Sequence, residues 1–273
     1  MNISGTREWS SHSANCIIGC AHDCRYCYAR YNAVRRFGRV RPGEWSRPRV
    51  RETVLRKRWK KIDGVVMFPT THDITPEVLD PCVRYLRNIL QAGNQVLIVS
   101  KPHVDCIARL CREFAGAADQ ILCRFTIGAD DDRVLAYWEP GAPTFSERLA
   151  SLQLAHREGF QTSVSIEPML DSAHVGRLVA AIDPHVTETI WIGKLNGIRS
   201  RVEIATDEDR RHVAAIEAGQ TDPEIRRIYA ALKNNPKIRW KESIKQILGL
   251  PELDAAPRAF ESAPPRARQA VLF

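Results

Sequence analysis

Gly19-Cys20-Ala21-His22-Asp23-Cys24-Arg25-Tyr26-Cys27-Tyr28-Ala29-Arg30 is the stretch from which the rest of this chain is read. Its cysteines follow the spacing Cys-x3-Cys-x2-Cys. Thiolates so placed can hold three corners of an iron-sulfur cluster, whereas a fully protein-held cubane takes four. An iron without a protein ligand is open to a small molecule, as a catalytic zinc is at its fourth position. The loop therefore points to chemistry rather than to scaffolding. The residues alone leave a zinc site as the alternative, with His22 or Cys16 as the fourth ligand. Zinc ligands more often come as two Cys-x2-Cys pairs, or one such pair with a His pair, and no second pair is visible. Cys16 lies on an apolar run and reads as a buried structural thiol. His22 reads as a solvent-facing histidine.

Six apolar, β-branched runs read as strands, at residues 15–19, 64–69, 95–100, 121–127, 162–166 and 189–193. Most are continuous rather than alternating, the pattern of parallel strands covered on both faces. Helical patterns lie between them, at residues 76–91, 103–114, 146–158 and 174–182. The first carries Val78, Leu79, Val83, Leu86 and Leu90 at helical spacing, with Thr75 as cap and Gly93 as stop. Such alternation predicts an α/β fold, an incomplete (β/α)6 parallel barrel, with the cysteine loop following the first strand onto the C-terminal rim where reactive groups gather. The expected organisation is a barrel over residues 1–200 with a basic insertion at about 30–61, a C-terminal helical extension over 201–250 and a flexible tail over 251–273. Helical patterns in the extension fall at 207–218, 223–232 and 241–248.

With 273 residues, 44% of them hydrophobic, the chain can fill one sizeable core. No apolar run approaches the roughly 18 residues of a membrane span, and the first residues lack the apolar core of a signal peptide. A cytoplasmic location is expected. The eight cysteines suit metal binding in a reducing compartment, since four crowd into residues 16–27 while Cys82, Cys106, Cys111 and Cys123 sit in ordinary helix and strand patterns. Net charge is +8, yet residues 30–61 hold thirteen Lys/Arg against Glu44 and Glu52, so the remainder of the chain is net acidic. Phe37, Trp45 and Trp59 interleave these basics, a mix suited to phosphate contacts and base stacking. Arg35, Arg36, Arg39, Arg41, Arg56, Lys57 and Arg58 are the candidate nucleic-acid contacts. A nucleotide-like small substrate would satisfy the same field, and a solvated helix face is the plain alternative.

The cysteine spacing, with Tyr26 before the last cysteine, resembles the signature of the radical SAM enzymes. Within them, the run from Gly19 to Arg30 is similar to the spore photoproduct lyase-like branch, the DNA repair photolyases. Further matches follow in order, at Thr71-His-Asp73, Val99-Ser-Lys101, Phe125-Thr-Ile127 and Ser165-Ile-Glu-Pro168. A second likeness, in Val164-Ser-Ile-Glu-Pro-Met169 and Trp191-Ile-Gly-Lys194, is to a phage-associated radical SAM-like family. The resemblance implies a 4Fe-4S cluster on Cys20, Cys24 and Cys27, with S-adenosyl-L-methionine chelated by the open iron. It also implies an external one-electron reductant of flavodoxin or ferredoxin type and a 5′-deoxyadenosyl radical as the reactive species.

Carried over by position, the likeness puts Tyr26 near the adenine, Lys101 at the methionine carboxylate and Thr126 at the sugar or methionine. The glycine-rich turn that usually holds the methionine amine is replaced by Phe68-Pro-Thr-Thr-His-Asp73, leaving Thr70, Thr71 or Asp73 for that task. Glu167 and Arg124, polar residues in apolar strands, are expected to face the cavity. No cysteine stands between Tyr28 and Pro81, where spore photoproduct lyases place a hydrogen donor, so a different reaction on the same scaffold is implied. The expected activity is a radical SAM enzyme acting on a nucleic acid or nucleotide. The alternatives are a radical SAM enzyme for a peptide or small metabolite, and a non-catalytic metal-containing nucleic-acid-binding protein.

Overall fold

In the computed structural model, residues 3–260 are described. The strands are β1 (His12–Ser13), β2 (Ile17–Ile18), β3 (Arg49–Val50), β4 (Val65–Phe68), β5 (Gln95–Ser100), β6 (Ile121–Thr126), β7 (Gln161–Ile166), β8 (Ile190–Ile192) and β9 (Ile238–Trp240). Among the described residues, seven form one parallel sheet in the order β1-β4-β5-β6-β7-β8-β9. β4, β6 and β8 are buried along their whole length, which is why their apolar runs do not alternate. Register sets Phe68 opposite Ile98, Ser100 opposite Phe125 and Thr126 opposite Ser165, so the C-terminal ends of β4 to β7 share one rim.

Helices Leu79–Gln91, Val104–Phe114, Phe145–Arg157 and Val175–Ile182 make the crossovers, each within three residues of the expected bounds. Their buried stripes, such as Val83, Leu86 and Leu90 on the first and Ile107, Leu110 and Phe114 on the second, pack on the sheet. Each such side chain contributes about 1.5–3 kcal/mol when fully buried. Thr75 stands at the N-cap and Gly93 (φ 78°) follows the last turn, as expected.

Two strand expectations need correction. The barrel begins at β1, and the run at residues 15–19 leaves the sheet: Ile17–Ile18 pairs antiparallel with β3. Ile17 is buried while Ile18 is exposed, so this run has one covered face rather than two. A seventh strand, β9, lies within the region read as purely helical. Its three residues follow Asn235-Pro236-Lys237 and are too few to show a period.

The edges β1 and β9 do not pair, and the N-terminal segment spans the opening between them. Lys241 Nζ lies 2.8 Å from Glu8 Oε1 and donates to the Gly5 carbonyl at 2.6 Å, and the Glu242 amide donates to Glu8 Oε2 at 3.0 Å. Trp9 then enters the barrel interior, edge-on to Trp191 with ring centroids 5.9 Å apart and packed with Val65, Met67, Leu97 and Leu122. The expected tail begins within the described residues and makes contacts there. Phe260 packs against this same group and Arg258 lies 3.6 Å from Asp63, while residues 261–273 fall outside the described residues.

Gly19 sets where the cysteine loop starts. Its φ is +90°, and a Cβ there would lie 2.5 Å from the Trp45 carbonyl, the same oxygen that accepts from the Cys20 amide at 2.8 Å. Gly19→Ala is expected to cost roughly 1–2 kcal/mol for the left-handed backbone alone, with more from the clash. Urea denaturation should show the loss, and wild-type stability would mean the loop can start elsewhere.

Candidate active site

The loop Cys20–Cys27 is held by backbone bonds to distant segments rather than by its own turns alone. Arg25 N donates to Trp138 O at 2.9 Å and Gly141 N to His22 O at 3.1 Å, so the loop rests on the end of helix Asp132–Trp138, an element the sequence reading missed. Cys20, Cys24 and Cys27 all line one cavity of about 510 Å³ at the C-terminal ends of the strands. Burial pushes the Cys20 thiol up to about 12 and raises those of Cys24 and Cys27 as well.

Tyr26, Thr70, Thr71, Lys101, Thr126 and Glu167 line the same cavity, so the structure brings every expected cofactor-side residue to one place. Asn15 organises the threonine turn. Its Oδ1 accepts from the amides of Thr70 and Thr71, both at 2.8 Å, and its Nδ2 donates to Thr70 Oγ1 at 2.5 Å. Glu167 lies 3.5 Å from Lys241, and its carboxyl is raised by burial despite that partner. Arg124 departs from expectation. Its guanidinium sits 4.9 Å from the Trp9 ring and donates to Ser163 at 2.9 Å, in the barrel interior rather than at the cavity.

Beneath the cysteines lies a buried charge cluster that sequence reasoning missed. Glu139 accepts a hydrogen bond from the Tyr26 hydroxyl, lies 2.6 Å from Arg148 and 3.9 Å from Lys101 Nζ. Burial opposes the ionised form of Glu139, and Arg148 and Lys101 overcome it, holding its pKa below the ordinary value. Lys101 in turn stays charged although buried, because the carboxylates of Glu139 and Asp73 stand near it. A carboxylate here satisfies two cations that would otherwise be costly to bury. No local signal marks Glu139: it is one acid before Pro140-Gly141, and its partners are remote in sequence.

His22 is the clearest correction. It is fully buried, its Nδ1 3.1 Å from Asp73 Oδ2 and its Nε2 2.9 Å from His103 Nε2. Asp73 also accepts from Ser100 Oγ, from the Lys101 amide at 3.0 Å and from the Ile74 amide at 2.9 Å. Both ring nitrogens of His22 are thus engaged, which removes it as a fourth metal ligand. Cys16, buried as expected, does not line the cavity; its amide meets His72 Nε2 at 3.3 Å. His72, Asp73 and Glu167 also line the cavity but are engaged by Cys16, His22 and Lys241, which leaves three soft sulfurs from one loop, a set that suits iron-sulfur better than closed tetrahedral zinc. His22→Ala is expected to leave Asp73 short of a buried donor at about 2 kcal/mol and to loosen the loop. Iron and sulfide bound per chain after anaerobic reconstitution should fall several-fold, and full loading would show that the histidine does not hold the loop.

The basic stretch is not one surface. Arg35, Arg36, Arg39 and Arg41 are exposed near the rim, with Arg36 and Arg39 5.2 and 4.8 Å from the ring of Phe37, itself 51% exposed. Arg56, Lys57 and Arg58 are exposed too, but the chain there descends: Asn94, just before β5, accepts from the Ile62 amide at 2.9 Å at the opposite end of the barrel. Two of the three expected stacking rings are unavailable. Trp45 is buried and Trp59 packs edge-on to Tyr85 at 5.9 Å.

Comparison with known proteins agrees with the fold. The fold is similar to that of a spore photoproduct lyase variant with bound AdoMet and dinucleoside spore photoproduct, with a TM-score of 0.54 at 14% identity over 88% of this chain and 78% of that one. Spore photoproduct lyase complexed with dinucleoside spore photoproduct superposes with a TM-score of 0.51 at 16% identity and the same coverage. In sequence, the protein ORF301 of Acidianus two-tailed virus is 28% identical over 167 residues, 57% of this chain and 54% of that protein. The chain thus spans about half the length of the curated relative it matches. The family model for the radical SAM superfamily matches residues 15–171, more than half of the chain and the part that carries the cysteine loop and β4 to β7, and the chain belongs to that superfamily.

Proposed function

We propose that this chain is an enzyme that holds a 4Fe-4S cluster on Cys20, Cys24 and Cys27 and cleaves S-adenosyl-L-methionine reductively, acting on a nucleic acid or nucleotide-like substrate. The observation that carries the reading is the opening of three thiols, and no further cysteine, into the cavity that also holds Lys101, Tyr26, Asp73 and Glu167. When bound, the cluster would supply one electron to the sulfonium and so a 5′-deoxyadenosyl radical, the hard chemistry belonging to the cofactor.

The chain's own residues bind, orient and exclude water. Lys101, kept cationic beside Glu139, pairs with the methionine carboxylate in a dry site where such a pair is strong. The turn at Thr70 and Thr71, fixed by Asn15, faces the methionine amine with a hydroxyl and carbonyls. Tyr26, whose hydroxyl is held by Glu139, presents its ring to the adenine, and Thr126 offers a hydroxyl from the end of β6. The reductant is an external one-electron carrier. Exposed arginines at the rim around Phe37 favour an anionic substrate, and the dinucleoside that the similar lyase binds favours one that carries nucleosides.

The test is anaerobic reconstitution with iron and sulfide, then reduction with dithionite in the presence of S-adenosyl-L-methionine. Formation of 5′-deoxyadenosine above a Cys24→Ala control supports the reading. Its absence from a fully loaded protein overturns it.

A further inference from the structure

The walls of the central cavity carry four basic side chains, Arg7, Lys101, Lys194 and Arg201, against the two acids Asp73 and Glu167. The acids are already answered, Asp73 by His22 and Glu167 by Lys241, and Lys101 is committed to Glu139. Arg7, Lys194 and Arg201 make no ion pair or side-chain hydrogen bond among the described residues. They come from three segments, the turn before Trp9, the loop after β8 and the end of helix Ile198–Arg201. Three unpaired cations lining one cavity give it a positive field that an entering anion would neutralise. Such a fixed field also draws in anions from solution.

Arg201 occupies a second position of interest. A groove of about 380 Å³ runs beside the cavity and shares Arg201 and Trp45 with it. Its other arginines are paired internally, Arg30 with Asp23 at 2.8 Å and Arg35 with Glu203 at 3.3 Å. Arg201 is therefore the uncommitted guanidinium at the junction of groove and cavity. A guanidinium fork matches the two free oxygens of a phosphodiester, and a strand brings one negative charge with each successive phosphate, where a lone carboxylate brings one in all.

We propose that Arg7, Lys194 and Arg201 form a phosphate subsite at the cavity mouth, which receives a backbone phosphate of the substrate strand as it passes from the groove toward the reacting position. This rests on the nucleic-acid reading of the substrate. It moves the decisive anion contacts outside residues 30–61, where charge density alone would have put them.

The test measures fluorescence anisotropy of the reconstituted protein with fluorescein-labelled single-stranded DNA and RNA oligonucleotides of about twelve nucleotides, across a salt series. Lys194→Gln/Arg201→Gln is compared with Arg56→Gln/Lys57→Gln/Arg58→Gln. The first variant should bind roughly tenfold more weakly at low salt, with a salt slope shallower by about 0.7 per cation removed. The second should bind within twofold of wild type. Equal binding by wild type and the first variant overturns the subsite and leaves the nucleic-acid reading standing. Loss of S-adenosyl-L-methionine affinity with oligonucleotide affinity retained also overturns it, assigning these cations to the cofactor. If no protein binds either oligonucleotide, the nucleic-acid reading fails, and calorimetry with inorganic pyrophosphate decides the subsite separately. Heat lost in the first variant keeps an anion site for a small phosphorylated substrate, and no heat in wild type removes it.

Discussion

Cys24→Ala should abolish 5′-deoxyadenosine formation while leaving a folded protein. The Cys24 side chain opens into the cavity rather than into the main core, and alanine in its place removes one small buried sulfur. Its loss costs about 1 kcal/mol of stability, within what a domain of this size tolerates. The loop backbone is held independently, by the bonds from Arg25 to Trp138 and from Gly141 to His22. Two remaining thiolates cannot hold a cubane with one open iron. The reconstituted variant should therefore lose the broad visible absorption of a cluster and its turnover by several orders of magnitude, with an unchanged far-ultraviolet circular dichroism spectrum. Retained turnover would return Cys16 or His22 to consideration as a ligand, although both are engaged elsewhere.

Glu139→Ala is expected to be the most destabilising single change near the site. It strips the carboxylate from Arg148, which is fully buried, and from Lys101, and it frees the Tyr26 hydroxyl. Breaking a buried pair from one side costs about 3–5 kcal/mol, because the surviving charge stays in place without an answer. That is a large share of the roughly 5–15 kcal/mol that holds a domain together. The midpoint of urea unfolding should fall accordingly. Glu139→Ala/Arg148→Met should recover about half of the loss, since it removes the fully buried guanidinium and leaves Lys101, the more distant and partly exposed cation, without its carboxylate. If the double variant is no more stable than the single one, the cost lies in packing at Glu139 and not in the ion pair. S-adenosyl-L-methionine affinity should fall in both, since Lys101 loses the partner that positions it.

The parts legible in the sequence share a physical trait, which is that their information is local. Three thiols that line one cavity stand within one loop, so their spacing alone states the geometry they can adopt. β4 to β8 are buried on both faces and their composition says so without help. Lys101 and Thr126 come from the family likeness, and both stand at strand ends, where a parallel barrel gathers its side chains. Short or half-covered elements were misread for the converse reason: Ile17–Ile18 joins a two-stranded ribbon, and Ile238–Trp240 is too brief to display a period.

What only the tertiary structure decided depends on partners far apart in the chain. Tyr26 and Glu139 are 113 positions apart, His22 and His103 81, and Glu8 and Lys241 are drawn from opposite ends. A carboxylate's role is set by which cations surround it, and a sequence shows the carboxylate without its surroundings. Charge density singled out residues 30–61, but folding sends their two halves to different ends of the barrel and leaves Arg7, Lys194 and Arg201 as the unanswered cations at the cavity. The sequence by itself determined the fold class and the superfamily. The fold decided which of the described charges are neutralised and which meet no partner.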